Sequence, residues 1–352
     1  MPRVNAGPVI LSHRTKVALD AARVAASLYI PFHHVALRWG GGLPSGAGIL
    51  LRFGQPAVIL FFLLSGFVIF ANERHRAIRP RGYFLRRLRR IYPPVLVAFV
   101  LSAVVVFDNG DLRAQFSWRE LFFNLLMLQD VGETKPGVIA YSFLGNGPLW
   151  TLSYEAAFYL LFPFALAAWR RKPLLTTHLV GLICALSFAC YIAQPNHFTL
   201  VTSYFQIWWC GAMIAAAYGE GKRSWLAVKV PLSWLAVLVA EAIWVSSTQP
   251  YDGVDSYPVL MLQHFALALI MIVGAFGPIG KTLARVLEPL ARYWAGVASV
   301  SFGMYLFHYP LLVTWKRVDN SVGLFLAALL LIVMAWLGDA KLAKILPRAP
   351  RD

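Results

Sequence analysis

Residues 55–72 read QPAVILFFLLSGFVIFAN, a run without one ionisable side chain, bracketed by Arg52 on one side and Glu73-Arg74 on the other. As a helix the run is about 27 Å long, close to the hydrocarbon thickness of a bilayer. A water-facing helix of that length carries charge on one face, and this one carries none. The block therefore predicts a membrane-spanning helix, the one form in which a single segment satisfies all its own backbone hydrogen bonds in lipid.

Blocks of similar length recur on both sides of it. The sequence predicts ten spans, at 17–38, 55–72, 91–107, 149–169, 174–192, 200–218, 230–248, 259–277, 297–315 and 321–338. Segment 116–128, FSWRELFFNLLML, is too short and too polar to cross, and is expected at the interface or as a re-entrant piece. The expected architecture is an all-α polytopic helical bundle in an integral membrane protein. It forms a single membrane domain over residues 1–352, with tails at 1–16 and 339–352. Composition agrees: 59% of the 352 residues are apolar and 14% charged, against about 45–50% and about 25% in soluble domains. The first block holds Asp20, Arg23, His33 and His34, which a cleavable signal peptide would not tolerate. Cys184, Cys190 and Cys210 lie inside apolar blocks with no C-x-x-C spacing, so neither a disulfide framework nor a metal site is expected.

The net charge is +16. The basic residues stand between apolar blocks, which argues for membrane topology and against a nucleic-acid partner. With ten spans, alternate connecting segments hold 24 of the 32 Lys and Arg residues, and the opposite set holds 7; Arg23 lies within the first span. By the positive-inside rule both termini are expected on the cytoplasmic side.

Ionisable groups inside a span cost about 2.5–3.5 kcal/mol each on insertion scales, so they usually face the bundle interior and carry function. Here they are Arg23, His33, His34, Glu155, His178, Glu241, His264 and His308, with Asp20 and Arg90 near inner ends. Arg23 precedes His34 by eleven residues, about 16 Å along a helix. His34, Glu155 and His308 all fall in outer halves of their spans, the material for a general base and a group that orients it. His178 and His264 read as hydrogen-bonded packing residues, Glu241 is unassigned, and His33 points about 100° from His34 on a helix. Residues 74–90, RHRAIRPRGYFLRRLRR, cluster Arg86, Arg87, Arg89 and Arg90 at the inner mouth of span three. Such a segment either sets topology or binds phosphate, which the planar guanidinium suits.

Five strings, in order, resemble the acyltransferase 3 family of membrane acyltransferases. They are LDAARVAASLYIPFHH (19–34), LFFLLSGFVI (60–69), FLRRLRRIYP (84–93), GPLWTLSYEAAFYLLFP (147–163) and SVSFGMYLFHYPLL (299–312). The family includes bacterial O-antigen, peptidoglycan, nodulation-factor and exopolysaccharide acetylases. Departures are Val24 after the first Arg, Ala156-Ala157 after the Glu, and the His33-His34 doublet, which leaves the choice of catalytic imidazole open.

The resemblance implies transfer of an acyl group, usually acetyl, from acyl-CoA to a hydroxyl of a surface or exported glycan, in the bacterial cytoplasmic (inner) membrane. It implies a saccharide or glycolipid acceptor and no metal. It assigns His34, Glu155 and Arg23 to catalysis, with Glu155 orienting His34, and the donor phosphates to Arg87 and Arg90. His308 and Tyr305 would orient the acceptor or stabilise an oxyanion, and Trp150 would stack on a sugar. Some family members carry a further SGNH hydrolase-like domain; none is expected within these residues. Two other readings stay open: a transporter or flippase using the same intramembrane groups, and a catalytically inactive scaffold for envelope assembly.

Overall fold

In the computed structural model, which describes residues 11–39, 53–76 and 79–341, the chain is a bundle of helices. Most of the tails expected at 1–16 and 339–352, and Arg52, lie outside the described residues. The long helices are α1 (His13–Trp39), α2 (Gly54–Glu73), α3 (Pro80–Asp108), α6 (Trp150–Arg171), α7 (Pro173–Ala193), α8 (His197–Gly219), α9 (Lys229–Thr248), α10 (Val259–Phe276) and α14 (Ser321–Ala340). Short helices α4 (Leu112–Gln115) and α5 (Trp118–Leu125) follow α3, and α11 (Pro278–Leu287), α12 (Ala291–Ala298) and α13 (Ser301–His308) follow α10. Among the described residues, eight helices are long and apolar enough to cross a membrane, and nine at most if the bent pair Pro278–Ala298 with Ser301–Thr314 counts as one span. The protein is therefore a polytopic helical membrane protein.

The first expected span, α1, is 27 residues long and less apolar than the others, with Asp20, Arg23, His33 and His34 in it. Its charges are partly neutralised within the helix, Arg23 Nη1 lying 3.6 Å from Asp20 Oδ1 one turn away.

α8 is the centre of the bundle, with 89% of its apolar window buried. It packs along α2 at backbone contact. A Cβ on Gly66 would fall 2.0 Å from the Trp208 carbonyl oxygen, and one on Gly211 would fall 2.1 Å from that of Leu63. In lipid, helices gain little from apolar burial against one another, so small residues that let backbones meet supply the packing.

Two expectations are corrected. The third span begins at Pro80 rather than 91, so the arginine cluster is helical and continuous with the membrane segment. Pro80 sits in the first turn, where its missing N–H leaves no bond unmade. The ninth span, expected unbroken over 297–315, is broken: Pro278–Ala298 and Ser301–Thr314 meet at 53°. The chain after His308 continues as a π-helical turn, Tyr309–Thr314, with Pro310 in it. π turns relieve a ladder that a proline interrupts and re-aim the neighbouring side chains. The connection between α3 and α6 holds a two-residue parallel ladder, β1 (Gln129–Asp130) with β2 (Ala140–Tyr141). Segment 116–128 contains α5, whose eight residues do not reach across a bilayer and whose Trp118 and Phe122 are exposed.

The β1–β2 connection is tied down by a buried ion pair. Lys135 Nζ lies 2.7 Å from Asp130 Oδ1 and 3.4 Å above the Trp150 ring, and Tyr154 Oη donates to Asp130 Oδ2 at 2.6 Å. Burial lowers the Lys135 ammonium from its usual range, while Asp130 acts to raise it. Lys135 was expected as an outer-segment charge; it is outside the spans but wholly buried.

Candidate active site

Helical spacing builds a cavity of about 280 Å3. On α2 the lining centres on Val58, Phe61, Ser65, Val68 and Asn72, flanked by Phe62, Leu64 and Ile69. The central five are three or four residues apart, hence on one face, and span about 21 Å of helix. On α6 they are Thr151, Glu155 and Tyr159, at i, i+4 and i+8. On α3, Arg87 and Arg90 stand three apart and share a face. Arg23 from α1 and Ser301, Phe302 and Tyr305 from α13 complete the wall. Asn72 and Arg90 are exposed, so the cavity begins at the arginine-rich end, while Thr151 and Tyr305 at its other end are buried.

The lining holds three guanidinium groups and one carboxylate. Arg87 is already engaged: its Nη2 donates to Glu73 Oε1 at 2.9 Å, and its Cζ lies 5.4 Å from the Tyr83 ring centre and 5.6 Å from that of Tyr159. Glu73 also takes Arg86, Nη2 to Oε2 at 2.8 Å. This buried carboxylate at the end of α2 was not singled out in the sequence, since it stands at the edge of a span like any loop charge. Arg90 has no hydrogen bond or ion pair among the described residues, which leaves its five donors for a bound anion.

Glu155 accepts from Ser65 Oγ at 2.9 Å and from the Tyr159 hydroxyl. Ser65 in turn accepts from Trp208 Nε1 at 3.2 Å. Tyr159 was not picked out either, although an E-x-x-x-Y spacing places it one turn from the carboxylate. No hydrogen bond joins Glu155 to His34, so the expected orienting contact between them is not made in this structure.

His34 is instead one of a group of rings. Its centroid is 5.4 Å from that of His308 in a stacked arrangement, 5.0 Å from Tyr309 and 5.0 Å from His33. His308 is fully buried, and its Nδ1 lies 2.7 Å from the Tyr305 carbonyl oxygen. A carbonyl oxygen only accepts, so Nδ1 carries the proton and Nε2 keeps a lone pair, which has no partner. Tyr305 connects the two regions. Its ring lines the cavity and lies 6.1 Å from the His308 ring, and its hydroxyl donates to the Pro148 carbonyl at 2.7 Å, with Thr151 Oγ1 at 3.1 Å.

The structure thus gathers Arg23, Glu155, Arg87, Arg90 and Tyr305 around one cavity, and puts His34 and His308 together beside its buried end. Trp150 does not line the cavity: its indole is buried under Lys135 and stacks on His264, 6.5 Å between centroids. His264 accepts from or donates to Tyr204 Oη at 2.5 Å and His178 takes Trp234 Nε1 at 3.2 Å, the packing roles their surroundings suggested. Among the described residues no group of three or more His, Cys, Asp or Glu side chains is arranged to hold a metal ion.

A sequence profile described as an acyltransferase domain matches residues 16–338. Nodulation protein 10 of Rhizobium leguminosarum is 24% identical over 321 residues, covering 82% of this chain and 81% of its own. Exopolysaccharide production protein ExoZ of Rhizobium meliloti is 25% identical over 281 residues, covering 77% and 80%. Peptidoglycan O-acetyltransferase OatA of Listeria monocytogenes is 25% identical over 333 residues, covering 84% of this chain and 49% of the relative, so the chain spans about half that protein's length. No solved structure matches.

Proposed function

The chain belongs to this acyltransferase family, and we propose that it transfers a short acyl group, most simply acetyl, from acyl-CoA to a hydroxyl of a saccharide in a cell-surface or exported glycan. The observation that carries the reading is the cavity itself. It starts at an unpaired guanidinium, Arg90, and ends on Tyr305, next to an imidazole pair with an available lone pair. A coenzyme A thioester has this polarity, with phosphates at one end and a reactive carbonyl at the other.

Arg87 and Arg90 take the donor phosphates at the cytoplasmic end, each as a charge-assisted fork. Arg23, further in, meets polar atoms of the pantetheine arm. The acceptor hydroxyl approaches from the extracytoplasmic side. His34, the less buried ring of the pair, takes its proton as the oxygen attacks the thioester carbonyl. The carbon–sulfur bond then breaks, and His34 returns the proton to the sulfur, which leaves as the coenzyme A thiol. General-base assistance of this kind is worth about 10²–10⁴-fold. Glu155 acts at a distance from His34. It fixes Ser65 and Tyr159 across the cavity wall and offers Arg23 a counter-charge. The acceptor class follows the relatives named for peptidoglycan and exopolysaccharide. The bacterial inner membrane is the compartment in which a cytoplasmic donor meets an exported glycan.

The test is transfer of label from [acetyl-14C]coenzyme A to glycan in inverted membrane vesicles carrying the chain. Wild type passes label and His34→Ala, present at equal level, does not. Equal label in both excludes this active site, and label in neither, with a radiolabelled glycan instead crossing the membrane, favours a flippase.

A further inference from the structure

α11 packs along α1 and α10 at the edge of the bundle and leaves the rest of its surface uncovered. None of the residues Pro278–Leu287 is buried. Ile279, Leu283 and Val286 are 75%, 54% and 64% exposed, and Leu290 continues the series. At about 100° per residue Ile279, Leu283 and Val286 fall within about 60° of one another around α11. Lys281 and Arg285 fall on the opposite side of α11, and both are exposed, as is Arg292 in α12. The one carboxylate in the segment, Glu288, is held by Arg14 of α1 at 2.8 Å, so it does not neutralise the basic face.

The segment sits at the arginine-rich end of the bundle. It follows α10 directly, and Phe276 at the end of α10 lies 6.0 Å from Tyr218, itself 5.8 Å from Phe67 near the Glu73 end of α2. A contiguous apolar stripe on a membrane protein, just past the end of a span, is covered by the bilayer. With basic side chains on the opposing face, the helix lies in the plane of the interface and not across it.

We propose that α11 is an in-plane interfacial helix that binds anionic phospholipid headgroups through Lys281, Arg285 and Arg292, with Ile279, Leu283 and Val286 sunk among the acyl chains. The occupant follows from charge: the segment 278–292 presents three exposed cations and no free carboxylate, at the end of the bundle that carries the Arg86–Arg90 cluster. Each basic residue near an anionic surface contributes about fivefold in affinity. Through the Arg14–Glu288 pair, such a lipid would also steady the start of α1, the helix that bears Arg23 and His34.

The experiment uses the full chain in nanodiscs containing a headgroup-photoreactive phosphatidylglycerol or phosphatidylcholine, with labelled peptides mapped by mass spectrometry. Peptides from 278–296 are expected to label at least tenfold more with phosphatidylglycerol. Lys281→Gln/Arg285→Gln/Arg292→Gln should abolish that preference, while labelling of α14 peptides is unchanged. Ile279→Gln/Leu283→Gln, which alters only exposed positions, should lower labelling of 278–296 by both lipids. Equal labelling by the two lipids, a preference that survives the triple substitution, or a segment that labels with neither lipid because a protein partner covers it, each overturns the proposal.

Discussion

The imidazoles of His34 and His308 stack 5.4 Å apart, 27° from parallel, although they come from opposite ends of the chain. His308 is locked by its bond to the Tyr305 carbonyl, so its free Nε2 cannot reorient without breaking that bond. Replacing either ring by Ala is expected to lower kcat for acyl transfer by about 10²–10⁴-fold. The loss for the double variant should be close to that for one, because residues acting as a unit are not additive. Steady-state transfer rates at matched protein level decide the matter; two independent, multiplying losses would mean that the rings do not act together.

Arg87 and Arg90 share a face but not an environment. Arg87 is held by Glu73, whereas Arg90 is unpaired. Arg90→Ala should therefore raise KM for the acyl-CoA about tenfold with little change in kcat. Arg87→Ala should do the same and also lower thermal stability, since it takes one partner from a buried carboxylate. An Arg90 variant with unchanged KM and reduced kcat would move this residue from donor binding to chemistry.

Much of this was legible in the sequence, and the parts that were not have physical causes. A span announces itself by length and apolarity: α7 was expected at 174–192 and runs Pro173–Ala193. Ionisable groups in spans point inward because lipid penalises them, which singled out Arg23, His34, Glu155 and His308. What periodicity cannot report is which inward groups touch. Glu155 pairs with Ser65, ninety residues away in sequence, and not with His34. The break in the ninth span at Ser299–Val300 leaves no proline or charge to mark it. The burial of Lys135 depends on a partner, Asp130, and a ring, Trp150, that only the folded connection brings together.

Glu155 accepts from two hydroxyls, and an amide in its place keeps one acceptor and adds a donor that faces other donors. Glu155→Gln is expected to cost about 1–3 kcal/mol of stability and to reduce transfer, while Glu155→Asp should fail to reach Tyr159. Thermal unfolding in detergent together with transfer assays checks both; a fully active, equally stable Glu155→Gln would show that the carboxylate charge has no role.

Lys135 and Asp130 test the tether over the far end of the bundle. Lys135→Met leaves a buried carboxylate with the Val131 N–H, the Tyr154 hydroxyl and, 3.8 Å away, His197 around it, and no cation bonded to it. Removing one member of a buried pair costs about 3–5 kcal/mol. Adding Asp130→Asn should recover part of that loss, a coupling read by a double-mutant cycle in unfolding experiments. Strict additivity would mean that the pair contributes nothing beyond its separate members.

The central claim is that an acyl-CoA lies along the α2 face from Asn72 to Val58, phosphates at Arg87 and Arg90 and thioester beside Tyr305 and His34. A cryo-EM structure with acetyl-CoA bound tests it most directly. The account predicts phosphate oxygens within hydrogen-bond reach of Arg90 and the thioester carbonyl within reach of the His34 and Tyr305 rings. Density for the nucleotide elsewhere, or an inverted ligand with its phosphates near His34, would contradict it.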